Sequence, residues 1–217
     1  MDNDERLLLT KWIRQLRIIT AEVRSLLLSS KIFWETQKIL EANPEALCHG
    51  LFNHWMATNY AVATAIGIRR QTDMDRRSVS LRRFLDHIKA ELASRLDLLS
   101  RKSFVANYRP EFGSVDHREF DRLVGVKKSW VEAAYVHRDI DKVDTVTAGV
   151  KHFANRRIAH RDARGIEKRK LGELDDCLAA FAEVIERYTR ILTGSGSGFL
   201  PTLPPEWKCV FRTAWIK

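Results

Sequence analysis

The sequence predicts an all-α fold: a helical bundle over residues 1–193, followed over 194–217 by a Gly/Ser/Pro linker and a short aromatic segment. Three observations carry this. Apolar residues recur at three- and four-residue steps through most of the chain. β-branched clusters are short, and no Asn-Gly hairpin signal occurs. Glycine and proline gather in a few places, above all in Gly194-Ser195-Gly196-Ser197-Gly198 and at Pro201, Pro204 and Pro205.

Taken in order, Leu8, Trp12, Leu16, Ile19, Val23 and Leu26 predict a long amphipathic helix over about 4–28. A second, shorter helix over 32–40 is expected to stop at Asn43-Pro44. Residues 45–68 are apolar on most sides, as a central helix of a bundle would be. The polar run Arg69–Arg77 breaks the pattern, and Ser78 or Ser80 is placed to cap a helix carrying Leu81, Phe84, Leu85, Ile88, Leu92 and Leu96. Residues 101–115, with Pro110 and Gly113, read as a loop. Helical spacing resumes through Phe120, Leu123, Val126, Trp130 and Val131, and again from about residue 141 to beyond 153. Gly165 precedes a last helix whose one face holds Leu174, Leu178, Phe181, Ile185, Tyr188 and Leu192. In the tail, Trp207, Phe211 and Trp215 would share a helical stripe, either docked on the bundle or facing a partner. No internal repeat is visible.

Composition narrows the function. A chain that is 45% hydrophobic and 30% charged is globular rather than disordered. Its net charge of +9 favours a polyanionic partner, nucleic acid first. Residues 151–170 hold eight Lys/Arg against two acids, a local +6 that supplies most of that total. Such a run is either a solvated face or an anion site. Cys48, Cys177 and Cys209 are too scattered for a disulfide framework or a zinc site and suit a reducing cytoplasm. The acidic N-terminus lacks a signal-peptide pattern, and no apolar run approaches the ~20 residues of a membrane span. There is no Gly-rich phosphate loop, which argues against an ATPase or a dehydrogenase. His49 and His54 have no acidic companion at metal spacing, and Asp175-Asp176 at a helix start is explained by capping.

The basic segment contains Phe153-Ala154-Asn155-Arg156-Arg157-Ile158-Ala159-His160-Arg161-Asp162. This stretch resembles the motif of the HEPN family (higher eukaryotes and prokaryotes nucleotide-binding), all-α proteins that include RNA-cleaving toxins. The motif is an arginine, a polar residue, further residues and a histidine. Asn155 matches the polar residue and His160 the histidine, while Ala154 occupies the arginine position. Arg69-Arg70-Gln71 with Asp73, the Ser78–Leu81 step, Phe104, Tyr108 and the Trp207, Phe211, Trp215 series are similar to the abortive-infection U branch. That similarity covers about residues 45–217.

The resemblance implies a metal-independent endoribonuclease toxin of an abortive-infection or toxin–antitoxin system, without a cofactor. His160 would be the general acid/base, because its pKa lies near neutrality. Asn155 would position the phosphate or the imidazole. The motif arginine stabilises charge on the phosphoryl oxygens, so Ala154 implies impaired catalysis. Arg156, Arg157, Arg161 and Arg164 are the candidate RNA-binding residues; on a continuous helix Arg156, His160 and Arg164 would share a face. The family also implies a homodimer with a shared groove, and a cognate antitoxin, either a nucleotidyltransferase or another small protein. Two origins fit Ala154: an inactivating substitution that spares a host, or a member that lost catalysis and kept RNA or nucleotide binding. Arg69, Arg70, Arg76 and Arg77 form a second basic cluster, either flanking an RNA groove or paired with Asp73 and Asp75 in a solvated loop.

Overall fold

The computed structural model describes residues 3–44, 50–95, 98–107, 117–153, 171–194 and 199–212. Among these the fold is all-α, with helices α1 (Asn3–Ala42), α2 (Leu51–Gln71), α3 (Leu81–Ser94), α4 (Arg101–Asn107), α5 (His117–Val124), α6 (Ala133–Phe153) and α7 (Leu171–Thr193). A 3-10 helix, Pro205–Arg212, closes the described chain. The only bridge between extended residues is the isolated pair Ser100 and Trp130.

The two helices expected over 4–28 and 32–40 are one helix of 40 residues. Neither serine at the expected break competes with the backbone. Ser29 Oγ donates to Ser25 O one turn back, and Ser30 Oγ reaches across to Asp175 Oδ1 at 2.6 Å. The pattern fades there because Leu26, Leu27 and Leu28 are only half-buried. The predicted stop holds: Asn43 Nδ2 donates to Ile39 O at 2.7 Å, and Pro44 follows.

α2 returns antiparallel along α1, fixed by Gln37 to Asn53 at one end and by Glu22 to Arg70 and Gln71 at the other. Gly67 permits the close approach, since a Cβ there would lie 2.6 Å from the Leu26 methyls. α2 is not the central helix its composition suggests. Tyr60, Thr64, Ala65, Gly67, Ile68 and Gln71 are buried, but Leu51, Phe52, Trp55 and Ile66 face solvent.

Ser80 caps α3 by accepting from Arg83 N. Part of the loop expected over 101–115 is helical: Ser100 Oγ accepts from Ser103 N and starts α4, which buries Phe104. Pro110 and Gly113 lie outside the described residues. α5 ends at Gly125, whose φ of 120° stops the helix, so Val126 and Trp130 fall in an exposed connection. α6 starts earlier than the expected 141, since Val136 and Ile140 already extend the buried row of Val143, Thr147 and Val150.

α7 is the interior helix. All six residues expected on its apolar face are buried, joined by Cys177, Ala180, Ala182, Val184 and Ile191. It packs antiparallel to α1 and α6 and touches α2, α4 and α5. The tail also reaches the bundle. Phe199 joins the core, Lys31 Nζ donates to Pro201 O, and Lys208 pairs with Glu35 at 3.5 Å. Trp207 and Phe211 contact edge to face with centroids 5.8 Å apart, half-buried and exposed respectively; Trp215 is outside the described residues.

No helix among the described residues is long and apolar enough to cross a membrane.

One buried contact makes the fold sensitive to acid. Trp12, fully buried, donates Nε1–H to His87 Nδ1 at 2.8 Å, so His87 must be neutral at that nitrogen. Burial, then Lys11 and Arg83, hold the His87 pKa below the usual value against Glu91 and Asp86. A folded pKa below the unfolded one gives stability that is present above about pH 6.5 and is lost as pH falls through the folded value. His87→Gln keeps an acceptor for Trp12 but does not titrate. Its urea midpoint should fall less than the parent's between pH 7.5 and pH 5; equal falls would assign the acid sensitivity elsewhere.

Candidate nucleic-acid interface

Ala154, Asn155, Arg156, Arg157, His160, Arg161 and Arg164 all lie outside the described residues. The structure does describe the two helices that carry the segment. The chain enters residue 154 directly from α6 and returns at 171 into α7. Those helices run antiparallel, held by Cys177 Sγ to Val146 O at 3.2 Å and by the Lys142–Glu183 and Arg187–Asp139 pairs. The end of α6 and the start of α7 therefore sit together at one end of the bundle.

The last turns of α6 are tied to the start of α3. Asp144 accepts from Arg82 Nε at 2.8 Å and from Lys151 Nζ at 3.0 Å. Burial pushes the Asp144 carboxyl up, but the bonds from Arg82 and Lys151 outweigh it and hold the group below its ordinary value. Arg82 also lies 3.6 Å from Asp86, although its buried Nη1 has no hydrogen-bond partner of good geometry.

From Arg82 the chain leads straight into the Arg69–Arg77 corner. Gln71 is the hinge pin: wholly buried, it accepts from Leu81 N at 3.1 Å and donates to Glu22 Oε2 at 2.6 Å. Asp73 and Asp75 shape the turn by accepting backbone N–H groups of Asp75 and Arg77. Of the two alternatives weighed for this cluster, the paired loop is met in part. Asp75 binds the Arg77 guanidinium, but Asp73 spends its carboxylate on the backbone, and Arg70 pairs with Glu22 instead. Arg69, Arg70, Arg76 and Arg77 all remain on the surface. The Arg82–Asp144–Lys151 bridge thus joins this corner to the end of α6 from which the motif residues follow. The sequence gave no sign of that bridge, because its members are scattered over three separate stretches.

The start of α7 has its own anchor. Asp175 accepts from Ser30 Oγ at 2.6 Å, Trp34 Nε1 at 2.7 Å and Tyr60 OH at 2.7 Å. Capping does not explain this residue: it lies beyond the first turn of α7, and its carboxylate points to α1 and α2. Burial, together with the neighbouring Asp175 carboxylate, pushes the Tyr60 hydroxyl pKa well up, so it stays a donor.

A second charged cleft, about 610 Å³, opens between α5, α6 and α7 near the other end of α6. Its floor is the Asp139–Arg187 pair, and its wall links Arg122, Glu119, Arg190 and Glu186 in a chain of ion pairs. Burial raises the Asp139 pKa against the pull of Arg187. Its cations are engaged with acids, apart from Arg138, which lies over the Tyr135 ring. The cleft therefore reads as a clamp on three helices. A charged residue between Val136 and Val143 on a buried face was its only signal in the sequence.

His54 lies exposed on α2, and among the described residues no cluster of His, Cys, Asp or Glu has the makings of a metal site. No family model matches the chain, and neither does any curated protein or any solved structure.

The Asp175 anchor is testable. Asp175→Ala strands three partly buried donors, and each stranded group costs about 1–3 kcal/mol. Urea denaturation should show a loss of at least that size, with Asp175→Asn intermediate. A neutral Asp175→Ala would mean that α7 is held by packing alone.

Proposed function

We propose that this chain is a HEPN-type, metal-independent endoribonuclease toxin of an abortive-infection or toxin–antitoxin system, impaired here by Ala154. The reading rests on the residues of the 154–160 motif. The observation that supports it best is the bridge from the Arg69–Arg77 corner through Arg82, Asp144 and Lys151 to the end of α6. Two basic clusters far apart in sequence thereby belong to one end of an all-α bundle, a layout suited to tracking a phosphate backbone.

In this reading a 2′-hydroxyl attacks the adjacent phosphorus as the 5′-oxygen leaves, giving a 2′,3′-cyclic phosphate. His160 transfers a proton at one of these oxygens, and Asn155 holds the phosphate or the ring. Arg156, Arg157, Arg161 and Arg164 bind the strand. The charge donor is what Ala154 lacks, a loss that typically costs ~10²–10³ in rate. The proposal includes a homodimer with the two His160 residues at a shared groove, a cytoplasmic setting, and a small cognate antitoxin such as a nucleotidyltransferase. Ala154 itself favours a second reading, a module that binds RNA or a nucleotide without cutting.

Labelled RNA in excess EDTA separates the two. Ala154→Arg should restore cleavage to a cyclic-phosphate end and slow growth on expression, and adding His160→Ala should abolish both. Binding without cleavage by Ala154→Arg would establish the second reading instead.

Binding should also be steeply salt-dependent. For a single strand, each phosphate contact contributes about 0.7 to the slope of log K against log salt. Replacing Arg156, Arg161 and Arg164 with Ala should therefore reduce the slope by about 2. An unchanged slope would move the anion site away from the motif.

A further inference from the structure

The solvent-facing side of α2 is the anomaly of this molecule. From Leu51 to Ile68 there is no Lys, Arg, Asp or Glu, in a chain that is 30% charged. Half of that run is buried, but the half turned outward is apolar as well. Leu51 is 76% exposed, Phe52 59%, Trp55 61% and Ile66 39%. A surface helix normally puts its charges on that face, and contiguous apolar surface of this kind marks an interaction site.

The order of residues on the face says what covers it. Leu51, Trp55, Asn59, Val62 and Ile66 fall at steps of four, four, three and four, along the middle of the exposed side. The row reads almost the same in both directions about Asn59: two apolar residues, the amide, two apolar residues. A face with that symmetry is complementary to itself across a two-fold axis, as an isologous interface must be. We propose that α2 is a homodimerisation helix, pairing antiparallel with α2 of a second copy so that Asn59 meets Asn59, Leu51 meets Ile66 and Trp55 meets Val62.

Asn59 suits the axis. It donates one amide N–H to Trp55 O at 2.8 Å on its own helix, leaving its oxygen and second N–H for Asn59 of the second copy. A single polar residue in an apolar seam fixes register and orientation. The area is adequate. An aromatic side chain offers about 150–250 Å², so the exposed parts of Phe52 and Trp55 with their aliphatic neighbours amount to roughly 500 Å² per chain. Two copies then bury on the order of 1,000 Å², at the lower bound of a specific interface. The missing charge has a role too, because two copies at +9 each can meet closely only where neither presents cations.

This surface deepens the proposed function by supplying the dimer it calls for, but it rests on α2 alone. The tests read association and not cleavage, so either idea can fail without the other. In sedimentation velocity the full chain should be dimeric at micromolar concentration. Trp55→Glu should weaken association at least tenfold without shifting the thermal midpoint, since the side chain is exposed. With Cys48 and Cys209 replaced by Ser, Asn59→Cys should form a disulfide-linked dimer under mild oxidation, whereas Met74→Cys, exposed beyond α2, should not. If Trp55→Glu fails to fold, the cysteine pair decides. A monomeric parent, a dimer indifferent to Trp55→Glu, or equal crosslinking at residues 59 and 74 would each overturn the proposal.

Discussion

The fold depends on the burial of α7. That helix presents apolar residues over most of its circumference, and no single neighbour can cover them. α1 and α6 run antiparallel to it on two sides, with α2, α4 and α5 filling the rest. The length of α1 follows from this: it must lie alongside the whole of α7, from Leu9 near Ile191 and Leu192 to Ser30 and Trp34 at Asp175. Where α7 carries a polar group toward its neighbours, the group is served. Asp175 has three donors at one end, and Arg187 and Arg190 find acids toward the other. Burial of one helix thus fixes the directions of the others, and with them the shared location of the α6 end and the α7 start.

The charge of the chain has to be read through its pairs. Much of its basic character within the described bundle is matched locally, as in Lys142–Glu183, Arg101–Asp121 and the Arg122–Glu119–Arg190 chain. Such surface pairs add little stability each. Their effect is on the electrostatic field, which they cancel over the α5–α7 face. The +6 of residues 151–170 and the Arg69–Arg77 corner are less well balanced. This contrast favours the motif-bearing end as the place where a polyanion is attracted.

How much was legible follows from what each residue was asked to report. α7 was read correctly because its stripe is long and its face fully buried. α1 was split in two because Ser29 and Ser30 look like a break, and only the fold shows Ser30 engaged by Asp175, far along the chain. Hydrophobicity alone cannot tell α2's core face from its exposed one, so the helix seemed central. The Arg82–Asp144–Lys151 bridge and the Asp139–Arg187 clamp were not legible, since ion pairs between distant segments leave no local pattern. The motif around His160 was legible as a sequence and stays a reading of the sequence, because those residues lie outside the described part of the fold.

The most direct measurement of the central claim is a map of where RNA touches the chain. A single-stranded RNA carrying photoactivatable 4-thiouridine, irradiated with the full-length protein and digested for mass spectrometry, reports the contacted peptides. The account predicts crosslinks within residues 154–164 and at the Arg69–Arg77 corner, suppressed by salt. Crosslinks concentrated in the α5–α7 cleft, or none above those of an acidic control protein, would contradict it.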